Sequence, residues 1–205
     1  DLWFEKCIKK QLYGEAYLVR FADDFLIMFQ YERDAQRVYE AIIKRMELFG
    51  LELSKEKTRI LPFGRNCGTR ETFDFLGFTH FNSKTRKDYY TVGHKISRKK
   101  KKQFKSNLKK WVKENRNTQF DEFMKALNKK LTGSFNYYSL SGMIKEVRNL
   151  WIHSLYVTFK WMNRRSQRRS FKLDRFYEIW NDRIIHPYIH VDIWSGDKVI
   201  YNKNV

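Results

Sequence analysis

The sequence predicts an α+β fold, in which β-hairpins with one helix are followed by a bundle of helices. Residues 15–29 contain two strand-forming segments around a tight turn, whereas the second half of the chain carries apolar side chains at helical spacing. The charge changes in the same region. Residues 1–90 carry 16 basic and 14 acidic side chains, and residues 91–205 carry 26 and 9. We therefore expect two regions with a boundary near residue 93, the second of them strongly basic.

The first region is predicted to hold the strands. Tyr17–Phe21 and Phe25–Phe29 are rich in β-branched and aromatic residues, which favours strands on either side of Ala22, Asp23 and Asp24. The other elements expected are the end of a helix over Asp1–Leu12, a helix over Asp34–Phe49 that stops at Gly50, an extended Leu51–Leu53, a strand over Arg59–Phe63, and a hairpin of Phe73–Phe81 with Asp88–Val92.

The second region is predicted to be helical. Ser97 and Asp121 are the expected N-caps of its first two helices, because a side-chain oxygen can accept from the free N–H groups of a first turn. Residues 191–205 are expected to form a small strand pair or to be disordered. Apolar residues recur at helical spacing over four segments: Ile96–Val112, Asp121–Tyr138, Met143–Arg165 and Asp174–Ile184.

Composition limits the classes of partner. The net charge of +19 indicates a polyanion, and aromatic residues, 17% of the chain, are interleaved with the basic ones, which suits nucleic acid. No apolar run is long enough to span a bilayer, so no membrane partner is expected. Two cysteines imply neither a disulfide framework nor a zinc site, which indicates a reduced, cytoplasmic setting in a bacterium or an organelle. The chain opens at Asp1 as if in mid-helix, so we expect a piece of a longer polypeptide.

Asp23 and Asp24 are the candidate catalytic residues. A single Asp in a hairpin turn is explained by the hydrogen bonds that its side chain makes to turn backbone. Two adjacent carboxylates, however, repel each other and contribute nothing to a core. A hard divalent cation compensates such a pair, and Mg²⁺ binds through one or two carboxylates together with substrate phosphates. The pair therefore predicts a magnesium site, with an ordinary turn as the alternative.

Phe21-Ala22-Asp23-Asp24 resembles the F/YADD signature of reverse transcriptases, and the resemblance extends downstream. Residues 50–58 (GLELSKEKT), 73–78 (FDFLGF) and 131–138 (LTGSFNYY) follow in the order and spacing of group II intron reverse transcriptases, also called maturases. The resemblance covers residues 1 to about 188. It implies part of a right-hand polymerase: the C-terminal part of the palm over residues 1–93, a helical thumb over 94–190, and a tail over 191–205.

In that family the palm adds nucleotides by two-metal phosphoryl transfer. The resemblance implies that Asp23 and Asp24 hold Mg²⁺, with Mn²⁺ as an alternative. It also implies a role for Lys57 beside the triphosphate, although a solvated lysine fits this position equally well. The family's third carboxylate is not found in residues 1–14, so we expect this piece to be inactive without the rest of the polypeptide.

Further residues are assigned to the primer by the same resemblance. Phe21 would lie under the last primer base pair, and a small Ala22 would let the primer end approach. Phe73–Phe78 contains a segment that resembles the primer grip, where Gly77 would let the backbone come close to a strand. A strand with a bulge is the alternative. The grip residues are Phe75, Leu76, Gly77 and Phe78.

Basic side chains form two candidate nucleic-acid surfaces. Eight positive charges and no negative charge lie between Arg98 and Lys110. Their mutual repulsion is uncompensated unless phosphates bind. The alternative is a helix face that is merely solvated. A second cluster closes the third predicted helix, where positive charge also stabilises a helix C-terminus. The candidate residues are Arg98, Lys99, Lys100, Lys101, Lys102, Lys105, Lys109, Arg164, Arg165, Arg168 and Arg169.

Together these features predict an RNA-directed DNA polymerase of a group II intron or a related retroelement. The expected partners are an RNA template, a DNA primer, intron RNA, deoxynucleoside triphosphates and the remainder of the same polypeptide. Two alternatives stay open: a non-catalytic RNA-binding maturase module that serves splicing, and a defence-linked reverse transcriptase. The intact pair of Asp23 and Asp24 speaks against the first alternative, because a pure binding module has no need of it.

Overall fold

A computed structural model describes residues 1–54, 56–165 and 170–189. The described chain is mixed α and β, as predicted, with two small antiparallel sheets and a set of helices. It divides into two compact units. Of the described residues, the hairpin unit comprises those within Asp1–Leu76 and His80–Val92, and the helical unit comprises Gly77–Thr79 and those from Gly93 onward.

The hairpin unit is built on one antiparallel strand pair and one long helix. A π-helical turn (Phe4–Ile8) and a 3₁₀ turn (Lys9–Gln11) precede strands β1 (Ala16–Phe21) and β2 (Asp24–Phe29), which confirm the predicted hairpin. In the pairing register, β1 starts opposite the end of β2 and its last residue lies opposite the first residue of β2. Helix α1 (Glu32–Leu48) follows. The buried apolar core of these elements consists of Phe4, Ala16, Val38 and Ile42.

Helix α1 begins earlier than the predicted Asp34, because Tyr31 is the last extended residue and Asp34 lies within the first turn. The Asp34 carboxylate is buried and accepts hydrogen bonds from the backbone N–H groups of Tyr13 and Gly14, at 2.9 and 3.0 Å. An acidic side chain in the first turn also interacts favourably with the helix dipole. Asp34 thereby fixes the start of α1 against the segment that precedes β1.

The second sheet has three strands where two were predicted: β3 (Thr72–Phe75), β4 (Phe78–Lys84) and β5 (Tyr90–Ile96), in the order β3-β4-β5. A single strand over Phe73–Phe81 is wrong, because Leu76 and Gly77 have φ angles of 50° and 82° and turn the chain between β3 and β4. Strand β5 runs to Ile96, and the helix that was expected to start at this residue therefore begins after it.

The strand predicted over Arg59–Phe63 is also wrong, since these residues form no regular element. Pro62 has no amide hydrogen to give to a ladder, and side chains hold the backbone of this part of the chain instead. The Arg59 guanidinium donates to the Thr72 carbonyl at 2.7 Å, and the Thr69 hydroxyl donates to the Pro62 carbonyl at 3.0 Å. These bonds take the place of strand pairing.

The helical unit contains helices α2 (Arg98–Asn115), α3 (Phe120–Tyr138), α4 (Ile144–Met162) and α5 (Leu173–Arg183). Ser97 caps α2, as predicted, and its hydroxyl accepts from the Lys100 N–H. The predicted cap of α3 is wrong. Gln119 occupies that position and its side chain accepts from the N–H of Glu122, while Asp121 lies in the first turn and pairs with Arg183.

Helix α4 ends at Met162, before the predicted Arg165. The Asn163 side chain accepts from the Phe171 N–H at 2.8 Å and donates to the Phe171 carbonyl at 3.1 Å, which holds the chain after the helix. The helical core includes the fully buried side chains of Phe123, Phe176 and Trp180. None of the helices in the described ranges has the length and apolar character needed to cross a membrane. The predictions for residues 191–205 lie outside the described residues.

Candidate active site and nucleic-acid interface

The tip of the β1–β2 hairpin presents two carboxylates. Asp23 is the second residue of the loop between the strands, and Asp24 is the first residue of β2, opposite Phe21. Both are exposed, and within the described part of the chain neither carboxylate takes part in a hydrogen bond or an ion pair. Their charges are therefore not compensated by any described side chain.

Ala22, the first residue of the loop, has a φ angle of 51°. Two-residue hairpin loops with a positive φ at this position usually contain Gly. An L-residue in this region costs roughly 1–2 kcal/mol, because its Cβ crowds the following carbonyl oxygen. Strain of this kind is often stored where a turn serves a ligand. The strained residue directly precedes the two carboxylates.

Arg20 forms hydrogen bonds that hold the backbone of the hairpin tip. Its guanidinium donates to the Ala22 carbonyl at 3.0 Å and makes two further bonds, each 2.8 Å long, to the carboxylate of Asp1. A paired guanidinium of this kind has fixed geometry. The positive charge of Arg20 is therefore paired with Asp1, and Arg20 forms no ion pair with Asp23 or Asp24.

The donor set at the tip fits a hard divalent cation. Two unpaired, exposed carboxylates suit Mg²⁺, which keeps several water ligands and completes its octahedron with substrate phosphates. The described residues contain no group of three or more potential metal ligands. The third carboxylate that the resemblance implies is therefore not among the neighbours of this pair in the described structure.

The hairpin also exposes one apolar face. Side chains alternate along a strand, so Tyr17, Val19 and Phe21 share a face, and their partners across the pair include Met28 and Asp24. The side chains of Tyr17, Val19, Phe21 and Met28 are 45–65% exposed. Large apolar side chains that are exposed together on one face can mark an interaction site. Of these four residues only Phe21 was named as a candidate site residue from the sequence, through the resemblance to the F/YADD signature.

Lys57 lies in a tight turn of the hairpin unit. The backbone N–H groups of Lys57 and Thr58 both donate to the Ser54 carbonyl, at 3.0 and 2.9 Å. The side chain is exposed and makes no ion pair with Asp23, Asp24 or any other described acid. The structure therefore leaves its ammonium group open to solvent.

The segment that resembles the primer grip forms the turn between β3 and β4. Leu76 and Gly77 both have positive φ, the pattern of a type I′ turn, in which Asn-Gly is the preferred pair. The Gly77 carbonyl accepts from the Ser97 N–H at 3.0 Å. A Cβ on Gly77 would lie 3.5 Å from side-chain atoms of Lys100 and Tyr138. The backbone at this turn is therefore close to a cation and a phenol.

Phe78 fixes the same turn within the helical unit. Its ring stacks on Tyr137 and meets Tyr138 edge-on, with both centroid distances 5.5 Å. Burial raises the pKa of the Tyr138 hydroxyl above its usual value of 10.0, and the neighbouring Tyr137 adds to the effect. Tyr138 is therefore protonated at neutral pH and able to donate a hydrogen bond. Phe75 precedes the turn, at the end of β3 in the hairpin unit.

The basic run at the start of α2 is divided among different faces of the helix. Lys100 lines a groove of about 400 Å³ between α2 and α3, which we call the α2/α3 groove. Lys101 is half-buried and pairs with Glu146 of α4 at 2.8 Å, so its charge is compensated inside the protein. The remaining candidates on α2 are exposed and have no acidic partner among the described residues: Arg98, Lys99, Lys102, Lys105 and Lys109.

The α2/α3 groove is lined by groups that suit a nucleic-acid backbone. Lys100 and Lys130 supply positive charge, and Gln103, Asn107 and Ser134 supply hydrogen-bond donors and acceptors. Tyr138 lies at the same groove. Phosphate and sugar contacts of this kind position a strand without reading its sequence. Lys130 and the polar groups were not among the residues named from the sequence.

The cluster after α4 is divided as well. Arg164 is exposed, and its guanidinium lies 5.4 Å from the centre of the Trp161 ring. Arg165 donates to the Thr118 carbonyl at 3.3 Å, and partial burial lowers the pKa of its guanidinium below its usual value. Arg165 therefore holds the loop before α3 in place. The candidates Arg168 and Arg169 lie outside the described residues.

Residues 3–80 match the model of a protein family described as "Reverse transcriptase (RNA-dependent DNA polymerase)". The match includes the β1–β2 hairpin with its two carboxylates, Lys57 and the β3–β4 turn, and it covers less than half of the chain. It supports the prediction of a reverse transcriptase, a class that acts on an RNA template and nucleotides and generally uses divalent metal ions. A search of curated proteins found no match.

Proposed function

We propose that this chain is the C-terminal part of the palm and the thumb of a group II intron reverse transcriptase, and that it serves RNA-directed DNA synthesis. The observation that carries the proposal is the pair of unpaired carboxylates, Asp23 and Asp24, on a strained hairpin tip inside the segment that matches reverse transcriptases. The palm corresponds to residues 1–93 and the thumb to residues 94–190.

Asp23 and Asp24 hold Mg²⁺, or Mn²⁺ in its place, at the tip of the hairpin. When bound, the metal ions supply Lewis-acid stabilisation of the charge that develops on the attacking and leaving oxygens. Phe21 offers an exposed ring beside Asp24 on which the primer end packs, and the small Ala22 leaves room for it. Lys57, whose ammonium group is unpaired, neutralises the triphosphate or protonates the departing pyrophosphate.

The helical unit holds the template–primer duplex. Lys100 and the Tyr138 hydroxyl lie beside the backbone of the grip turn at Gly77, and Lys130 lines the same α2/α3 groove. Contacts of these groups to phosphates and 2′-hydroxyls recognise the shape of an A-like duplex. In a maturase the same basic unit also binds intron RNA, which serves splicing.

The test is primer extension on an RNA template with the complete polypeptide that contains this chain. Asp23→Asn keeps the shape of the side chain but removes the charge that binds the metal, and we expect a rate loss of about 10³-fold or more. Glu40→Gln, an exposed neutralisation on α1, is the matched control and should keep full activity. DNA synthesis by Asp23→Asn at the wild-type rate would exclude the catalytic proposal and favour a non-catalytic RNA-binding module.

A further inference from the structure

The outward face of α2 carries an uninterrupted row of cations that the α2/α3 groove does not use. Residues three or four apart share a helix face, and six basic residues follow this spacing. All are exposed except the half-buried Arg116 at the C-cap. We call them the outer basic row: Arg98, Lys102, Lys105, Lys109, Lys113 and Arg116.

The outer basic row is separate from the groove. An α-helix turns by about 100° per residue, which puts Lys109 and Arg116 roughly on the opposite side of α2 from the groove residue Lys100. Lys105 lies near His153 of α4, since its charge contributes to lowering the pKa of that imidazole. The row therefore follows the side of α2 that borders α4, away from α3.

The row ends at an aromatic ring with three cations around it. The Lys113 ammonium lies 5.9 Å from the centre of the Trp161 ring, and the guanidinium carbons of Arg116 and Arg164 each lie 5.4 Å from it. The C-termini of α2 and α4 meet here, so part of this charge compensates helix dipoles. Two helix ends amount to about one negative charge, and the three cations exceed it.

No described acidic side chain pairs with the row. Glu114 is the nearest acid in sequence, and it lies 4.0 Å from Lys110, on another face. Successive cations of the row are spaced by about 4.5–6 Å along the helix axis, which is similar to the separation of neighbouring phosphates on one strand. A single polyanionic strand therefore fits both the charge and the spacing.

We propose that the outer basic row and Arg164 bind a single strand of RNA at the same time as the template–primer duplex lies in the α2/α3 groove. The inference rests on the proposed function for the presence of the duplex. It assigns to α2 two nucleic-acid surfaces on different faces, of which the row binds phosphates without reading bases. The strand is recognised by charge and by the spacing of its phosphates.

Fluorescence anisotropy with the intact chain tests this, using a labelled 15-nucleotide oligouridine and a labelled 12-base-pair RNA–DNA duplex. The row variant is Lys102→Gln/Lys109→Gln/Lys113→Gln. The groove variant is Lys100→Gln/Lys130→Gln. The charge-matched control, on exposed positions elsewhere in the helical unit, is Lys125→Gln/Lys129→Gln/Arg148→Gln, and neutral Gln keeps helix propensity in each.

We expect the row variant to bind oligouridine at least tenfold more weakly and to reduce the slope of log K against log salt by about 2, the value for three lost phosphate contacts. Its duplex affinity should stay within threefold of the control. The groove variant should bind the duplex at least tenfold more weakly and keep its oligouridine affinity within threefold of the control. Saturating unlabelled duplex should leave oligouridine bound to the wild-type chain.

Three results would overturn the inference: full displacement of oligouridine by the duplex, equal losses for the row variant and the control, or a row variant that loses binding to anionic phospholipid vesicles but not to oligouridine. Failure of the wild-type chain to bind the duplex, with oligouridine binding still dependent on the row, would count against the proposed duplex grip and leave the single-strand surface standing.

Discussion

The two units of this chain differ in how they are stabilised and in what they expose. Among the described residues, the main apolar cluster of the helical unit has seventeen buried side chains, and that of the hairpin unit has four. Residues 1–90 carry a net charge of +2, whereas residues 91–205 carry +17. The hairpin unit also exposes large apolar side chains, including Phe21, Leu48 and Phe49.

This difference separates two tasks. The helical unit has enough buried apolar surface to tolerate a row of repelling cations, for which each like-charged pair on adjacent turns costs about 0.2–0.5 kcal/mol. The hairpin unit has a small core, and its candidate catalytic residues lie on a loop and a strand end. A small core makes the hairpin unit depend on single polar contacts such as that of Asp34, whereas the helical unit depends on bulk packing.

The largest effect on stability is expected in the helical core. Trp180 is fully buried, and Trp180→Ala should lower the free energy of unfolding of the helical unit by about 3–5 kcal/mol because it leaves a large cavity. Val38→Ala, in the smaller core of the hairpin unit, should cost about 1–3 kcal/mol. Urea unfolding, monitored separately in each unit by hydrogen exchange, measures both losses of free energy of unfolding.

Trp180→Phe is the control for that substitution. The indole N–H of Trp180 is buried without a hydrogen-bond partner among the described residues. Phe removes this unpaired group and keeps most of the ring, so its cost should be well below that of Ala. An equal cost for Phe and Ala would show that packing does not dominate this site.

The next effect concerns the hairpin unit. Asp34→Ala removes the acceptor of the partly buried N–H groups of Tyr13 and Gly14, and we expect a loss of about 2–3 kcal/mol. The amides of these two residues should then exchange with solvent faster than those of β2. Glu47→Gln, an exposed change on α1, should leave both quantities unaltered. Unchanged exchange at Tyr13 and Gly14 would contradict the role given to Asp34.

A smaller effect is expected from the strained turn. Ala22→Gly should stabilise the hairpin unit by up to about 1 kcal/mol, because Gly adopts a positive φ without steric cost. The same substitution at Ala126, an exposed position in α3, should destabilise the helical unit by about 1 kcal/mol. If denaturant unfolding gave a change in the free energy of unfolding of the same sign for both variants, the strain assigned to the turn would be contradicted.

The smallest effect is a dependence of the stability of the helical unit on pH. Burial lowers the pKa of His94 and of His153 below the usual 6.5, and Lys105 adds to the effect at His153. The unfolded chain therefore binds more protons than the folded one below about pH 6.5. Stability should fall as the pH falls through 6.5 towards the lowered folded values. His153→Gln should flatten this part of a pH series of unfolding curves.

Much of the fold follows from local patterns. The β-branched and aromatic composition of β1 and β2, the helical spacing in α1 to α5 and the cap at Ser97 are all local signals, and the structure agrees with them. The break at Leu76–Gly77 could not be predicted in the same way, because Leu rarely adopts positive φ and is held there by its surroundings. Gln119 replaced Asp121 as a cap for a similar reason, since Asp121 is engaged by Arg183.

The candidate site was predictable to a different degree in the two units. The Asp23–Asp24 pair is visible because two adjacent acids have no structural use at a turn. The prediction from sequence treats the basic run at α2 as one surface. Helical spacing alone predicts that its residues lie on different faces of the helix. That Lys101 is neutralised by Glu146 depends on tertiary contact, which no local pattern reveals.

The most direct test of this division of tasks is single-turnover primer extension with the complete polypeptide, with the maximal rate and the duplex dissociation constant measured together. We predict that Asp23→Asn reduces the maximal rate by about 10³-fold or more while the dissociation constant stays within threefold of wild type. Lys100→Gln/Lys130→Gln should raise the dissociation constant at least tenfold and leave the maximal rate unchanged. A wild-type rate for Asp23→Asn, or a groove variant that slows the reaction without weakening duplex binding, would contradict the account.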